Sequence, residues 1–236
     1  MMTPQSESLS ARECDLMRDW RVRWKECHPD YLYFNEDGIV DHERWNALPD
    51  GRHVLFVLKE TNALSSSLVN FLYHGGSRTY WRTWNNVARW ENVVLNGTCL
   101  ESVPKSVLDD LVRNIAVINL KKYAGGPRAN HKEILAQADR DIDLIRQQVR
   151  LYEPDIVLTG GSRLVADYFH DAICAESTAW VRLNEQTKLR YYETTRICTD
   201  KTRTLVVSMP HPNRAAKRWT WDLADILRAT GRLESV

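Results

Sequence analysis

Three short segments place complementary chemical groups directly after apolar runs. Glu60 follows residues 53–59 (HVLFVLK), Asn119 sits near the end of residues 114–120 (NIAVINL), and His211 follows residues 204–209 (TLVVSM) after one proline. A carboxylate can stabilise a cationic sugar and orient or deprotonate water. A neutral imidazole can donate a hydrogen bond to an oxygen gaining negative charge, and one such donor is worth roughly a hundred- to a thousand-fold in rate. A carboxamide carries both donor and acceptor, so it reads a base edge in one geometry. Together these groups suit cleavage of an N-glycosidic bond. Each also has an ordinary explanation: a solvated loop Glu, a turn-capping Asn, a chance His-Pro pair. Their common placement at strand ends carries the expectation.

The elements that must position them follow from hydrophobic patterning. The three runs above and residues 155–159 (DIVLT) are nearly continuous in apolar residues, as strands covered on both faces are. Between them lie amphipathic stretches. Residues 131–152 carry Ile134, Leu135, Ala138, Ile142, Ile145 and Val149 at helical spacing, ended by Glu153-Pro154. Further helices are expected over 11–27, 81–95, 162–175 and 219–229. This alternation predicts a three-layer α/β/α domain around a central, mostly parallel, four-stranded sheet. Residues 178–199 break the pattern and read as a hairpin excursion or antiparallel edge, with strands over 180–183 and 189–198. In such sheets ligands bind beyond the carboxyl ends of the strands, where Glu60, Asn119, Gly160-Gly161-Ser162 and His211 would converge.

Composition narrows the class. The chain has 236 residues, 43% hydrophobic and 27% charged, with a net charge of +1. That suits one ordinary globular domain. No global basic field marks a nucleic-acid binder, so any such contact must be local. Five scattered cysteines without a CxxC pair argue against a zinc ribbon or compact iron–sulfur motif and suit reduced thiols in a cytoplasmic protein. The histidines show no close metal-binding spacing. No cofactor, no metal and no membrane span is expected. Residues 1–10 read as a polar, disordered start, and a monomer is expected.

The pattern resembles the uracil-DNA glycosylase superfamily. Leu58-Lys59-Glu60-Thr61-Asn62 stands where that family has a G-x-[DN]-P-[YG] motif, with Glu60 in the catalytic place. Ile118-Asn119-Leu120-Lys121-Lys122 matches its second motif, with Asn119 at the base-binding position. Pro210-His211-Pro212-Asn213-Arg214 matches the third, with His211 in the other catalytic place. The likeness spans about Val54 to Arg218. It implies a DNA glycosylase that flips a base out of the helix and leaves an abasic site. Phe71 takes the place of the ring that stacks on the flipped base, with Tyr73 second.

The first motif departs most. It lacks the family's Gly and Pro, and Asn62 stands where uracil-specific members often have a Tyr that excludes 5-substituted bases. Some bacterial relatives excise hypermodified pyrimidines from phage DNA as a defence, so a hydroxymethylated or glucosylated cytosine is the expected substrate, or else uracil. Lys121, Lys122, Arg128, Arg214, Lys217 and Arg218 are the expected DNA contacts, with the Gly125-Gly126 turn beside them. Two other functions fit the same groups: an N-glycosidase of free nucleosides or nucleotides, and a non-catalytic binder of modified DNA.

Overall fold

The computed structural model describes residues 7–28, 33–62, 64, 66–126, 128–161, 163–176, 178–197 and 203–234. Ser162 and Cys198, which belong to the expected turn and hairpin, lie outside them. Six strands form one mixed sheet: β1 (Gly38–Ile39), β2 (Val54–Leu58), β3 (Ala116–Asn119), β4 (Ile156–Gly160), β5 (Arg190–Thr194) and β6 (Thr204–Met209), in the order β1-β3-β2-β4-β6-β5. The four apolar runs are the four central strands, and they are mutually parallel. The two edges lie outside the four expected strands: β5 falls in the segment read as a hairpin or antiparallel edge, and β1 was not anticipated. Both are antiparallel: β1 on β3 and β5 on β6.

The helices are α1 (Leu9–Cys27), α2 (His42–Asn46), α3 (Leu68–Tyr73), α4 (Trp81–Asn96), α5 (Lys105–Val112), α6 (His131–Arg140), α7 (Ile142–Tyr152), α8 (Arg163–Tyr168) and α9 (Arg218–Ala229). Alternate residues of β2 feed two cores. Val54, Phe56 and Leu58 face a layer that includes side chains of α3, α4, α5 and α9. Leu55 and Val57 face the layer of α1, α6, α7 and α8. That alternation is why continuous apolar runs were needed. Phe56 stacks on the fully buried Trp90, with ring centroids 6.3 Å apart.

Three local expectations change. The segment 131–152 is two helices, because Asp141 leaves helical geometry (φ −105°, ψ 14°) and takes a 2.6 Å hydrogen bond from the Gln137 amide. The expected first hairpin strand reduces to a single Val181–Tyr191 bridge, and its partner β5 begins at Arg190 and ends at Thr194. The disordered start does not reach residue 10: Ser8 caps α1 through the Ala11 N–H, and Met17, Trp20 and Trp24 bury its inner stripe. Residues 1–6 lie outside the described chain.

Candidate functional site

The sheet register brings the strand-end segments side by side. Leu58 pairs with Asn119, Val57 with Thr159, and Gly160 with Met209. The loops after β2, β4 and β6 therefore emerge together, and the parallel pairing continues past β3, where the Leu120 and Lys121 N–H groups donate to the Leu58 and Lys59 carbonyls. Gly160 is required here for space. A Cβ on it would lie 2.9 Å from Leu58 Cδ2 and 3.3 Å from Pro212 Cδ. The glycine pair thus does more than turn the chain: it lets the loop carrying His211 approach β2.

A cavity of about 130 Å³ opens at this end of the sheet. Glu60, Asn62, Phe71 and His211 line it, joined by Tyr80 and Trp84. Four of the expected site residues, from three parts of the chain, therefore share one pocket. Asn119 does not line it. It sits on the face of β3 shared with Val117, beside Leu58, which does line the cavity. Its backbone N–H donates to Asp37 Oδ2 at 2.7 Å. Its side-chain Nδ2 is buried with no hydrogen-bond partner among the described residues. Buried polar groups are rarely left unpaired, and those that are call for an explanation.

Glu60 is held from two sides. Its carboxylate lies 2.6 Å from Lys121 Nζ, an ion pair rather than a directed hydrogen bond. Lys121 also binds Glu133 at 2.8 Å and lies 4.2 Å from the centre of the Tyr123 ring. The hydrogen bond from Lys121 holds the Glu133 carboxyl below its ordinary pKa. On the other side of Glu60 is Gly125, where a Cβ would sit 2.2 Å from the carboxyl carbon. The Gly125 N–H donates to Thr61 O at 2.8 Å. Gly125 therefore leaves room for Glu60, and its own N–H is taken by Thr61, whereas Gly126 meets no side chain or backbone within 4 Å.

His211 caps the short 3-10 turn Pro212–Arg214. Its Nδ1 accepts from the Asn213 N–H at 3.2 Å, which leaves the proton of the neutral ring on Nε2. Burial, then the charges of Lys59 and Arg214, push its pKa below the ordinary value. The ring is therefore neutral at pH 7, with its one N–H at Nε2. The turn is fixed from α4: Asn86 donates to Pro212 O at 2.6 Å, and Arg89 in turn donates to Asn86 Oδ1 at 2.8 Å. Phe71 rests against Gly76, where a Cβ would come within 2.5 Å of three ring carbons. Tyr80 lies 5.9 Å from Phe71, ring centre to ring centre.

The expected DNA contacts divide. Lys121 and Lys122 are corrections: both are buried and neither faces solvent. Lys121 is spent on Glu60 and Glu133. Lys122 binds Asp37 at 2.6 Å and Gln148 at 3.0 Å, beneath Trp20. Burial lowers the Lys122 pKa, and Asp37 counters it. Arg128, Arg214, Lys217 and Arg218 are exposed. Lys217 meets Glu101 at 3.1 Å, and Arg218 lies over Trp219. Tyr73 is exposed and is not among the cavity residues.

Sequence reasoning missed Asp37, Asn86 and Tyr80. Asn86 left a trace, since Asn85-Asn86 stands between the apolar Trp84 and Val87-Ala88 of α4. Asp37 left none, because its partners Asn119 and Lys122 are more than eighty residues away.

Among the described residues, no three His, Cys, Asp or Glu side chains gather as a metal site, and no helix is long and apolar enough to cross a membrane. No family profile matches the chain, and no curated protein matches it significantly in sequence.

Proposed function

We propose that the chain is a DNA glycosylase with a uracil-DNA glycosylase-like fold, acting on a flipped pyrimidine. The observation that carries this reading is the shared cavity of Glu60, Phe71 and a neutral, Nε2-protonated His211. The base stacks on Phe71. As the bond from C1′ to the base nitrogen breaks, its electron pair moves onto the base, and His211 Nε2–H hydrogen-bonds the base oxygen that gains charge. The sugar becomes oxocarbenium-like. Glu60, Lys121 and Glu133 together carry one net negative charge, so this cluster favours the sugar cation. Water then adds to C1′ and its proton passes to solvent, leaving an abasic hydroxyl.

The cavity limits the base. Its volume of about 130 Å³ is below half the smallest pockets that take drug-sized ligands, roughly 300 Å³. It suits one ring with a small substituent. Asn62 is smaller than a Tyr at that place would be, but Tyr80 supplies an aromatic wall from another part of the chain. A hydroxymethyl group at the 5-position, or uracil itself, therefore fits better than a glucosyl group. The test is incubation of the full chain with oligonucleotides carrying uracil or 5-hydroxymethylcytosine, with glucosylated DNA, and with the free nucleosides. Alkali-labile breaks at one of the small bases are the expected result. No base release from any oligonucleotide would overturn the reading, and release from nucleosides alone would make the chain an N-glycosidase of free metabolites.

A further inference from the structure

Lys59 and His131 meet with no acid between them. The Lys59 ammonium lies 3.1 Å from His131 Nε2, although 72 residues separate them. The Lys59 stem runs along Gly161, where a Cβ would lie 3.3 Å from Lys59 Cγ and Cε. Gly161 thus leaves room for the lysine stem where the end of β2 lies beside the end of β4. Arg214 is exposed in the turn that His211 caps. Its charge, after the larger effect of burial, lowers the pKa of both Lys59 and His211. Among the described residues, neither Lys59 nor Arg214 has a carboxylate within ion-pair distance. Glu60, next to Lys59 in sequence, acts on it in the opposite sense and is engaged by Lys121.

Like charges repel, so a fold that collects them beside a cavity whose one acid, Glu60, is already paired with Lys121 sets up a local field for an anion. His131 is also the first residue of the ten-residue helix α6, whose first N–H groups add partial positive charge. The position matters as well. Glu60 and His211, the neighbours of this cluster in sequence and in charge, line the base cavity.

We infer that Lys59, His131 and Arg214 form a phosphate-binding site at the rim of the cavity, so that one nucleotide places its base in the cavity and its phosphate on the cluster. Lys59 and Arg214 supply the charge, and His131 orients the ammonium and adds a ring N–H. The phosphate belongs to a polynucleotide or to a free nucleotide. The inference extends the glycosylase reading but does not require cleavage. It also moves the phosphate contact away from Lys121 and Lys122, which are buried.

The test is a fluorescence-polarisation titration of the full chain with a labelled single-stranded oligonucleotide, between about 50 and 200 mM salt. Inorganic phosphate, and a nucleoside 5′-monophosphate against its nucleoside, serve as competitors. Lys59→Met and Arg214→Met are compared with Arg150→Met, which precedes β4 at the opposite end of the sheet. Each rim variant is expected to weaken binding about tenfold and to reduce the salt slope by about one, with Arg150→Met unchanged. Melting curves verify folding, and Arg214, being exposed, is the safer of the two replacements. Binding of phosphate and the monophosphate without the oligonucleotide, lost in both variants, supports the site and assigns it to free nucleotides. Unchanged binding of every probe in both variants overturns it, as does wild-type protein that binds none of them. Lys59-dependent binding without any base release leaves the phosphate site standing and sinks the glycosylase reading. Base release with variant-independent binding does the reverse.

Discussion

The carboxylate of Glu60 lies 2.6 Å from the ammonium of Lys121, and both side chains are nearly closed off from solvent, at 6% and 2% exposure. Removing one partner of such a pair strands the other charge, whereas removing both costs far less. Lys121→Met is therefore expected to lower stability by about 3–5 kcal/mol, read as a shift in the urea midpoint. Adding Glu60→Gln to Lys121→Met should recover much of that loss while leaving the protein inactive in base release. Lys122→Met should cost a similar amount, because Asp37 would be stranded in the same way.

Gly125 and Gly126 separate space from flexibility. A methyl group at Gly125 would overlap the Glu60 carboxyl, but at Gly126 it would meet nothing within 4 Å. Gly125→Ala is expected to displace Glu60 and reduce kcat on the order of a hundred-fold, the usual cost of misplacing a reacting group by about 1 Å. Gly126→Ala should be close to wild type. Equal rates for the two variants would show that the position of Glu60 is unimportant.

The state of His211 sets a pH dependence. Its folded pKa lies below its unfolded value, so the unfolded chain binds its proton first as pH falls. The stability this group contributes is present above the ordinary histidine range and is lost as pH drops through the lowered folded pKa. The rate should follow the same direction, with a plateau at neutral pH and a fall on the acid side as the ring becomes charged. Lys59→Met and Arg214→Met each remove a repulsive charge, so the acid limb should move to higher pH. NMR titration of the His211 ring protons measures the shift directly.

Asn86 anchors the turn that presents His211. Asn86→Ala removes the donor to Pro212 O and the acceptor for Arg89. A loss of about 1–3 kcal/mol in stability is expected from the unpaired buried groups, together with a lower kcat at little-changed KM. An unaltered kcat would mean that the turn is rigid without this contact, through its two prolines alone.

The central architecture was legible because parallel strands and amphipathic helices write their burial locally. The four apolar runs became β2, β3, β4 and β6, and the stripe of Met17, Trp20 and Trp24 buried α1. The short edge strands were less visible. Two residues at Gly38–Ile39 form a strand because Ala116 and Val117, the start of the Ala116–Asn119 strand, are there to pair with them. The Lys121-Lys122 pair misled in the opposite way. Two adjacent lysines after a strand look like a solvated patch, yet each meets buried acids from distant segments.

The sequence by itself determined that a carboxylate, a carboxamide and an imidazole would stand at the carboxyl ends of parallel strands of one sheet, since strand periodicity and the parallel crossover rule depend on nearby residues. Only the tertiary structure decided which of them share a cavity, that Asn119 stands beside it and outside its lining, and that Lys59 meets His131 whereas Lys121 and Lys122 meet carboxylates. The physical reason is range. A residue's conformation and face are fixed by its neighbours in sequence, but the compensation of its charge is fixed by whichever group the fold brings within a few ångströms.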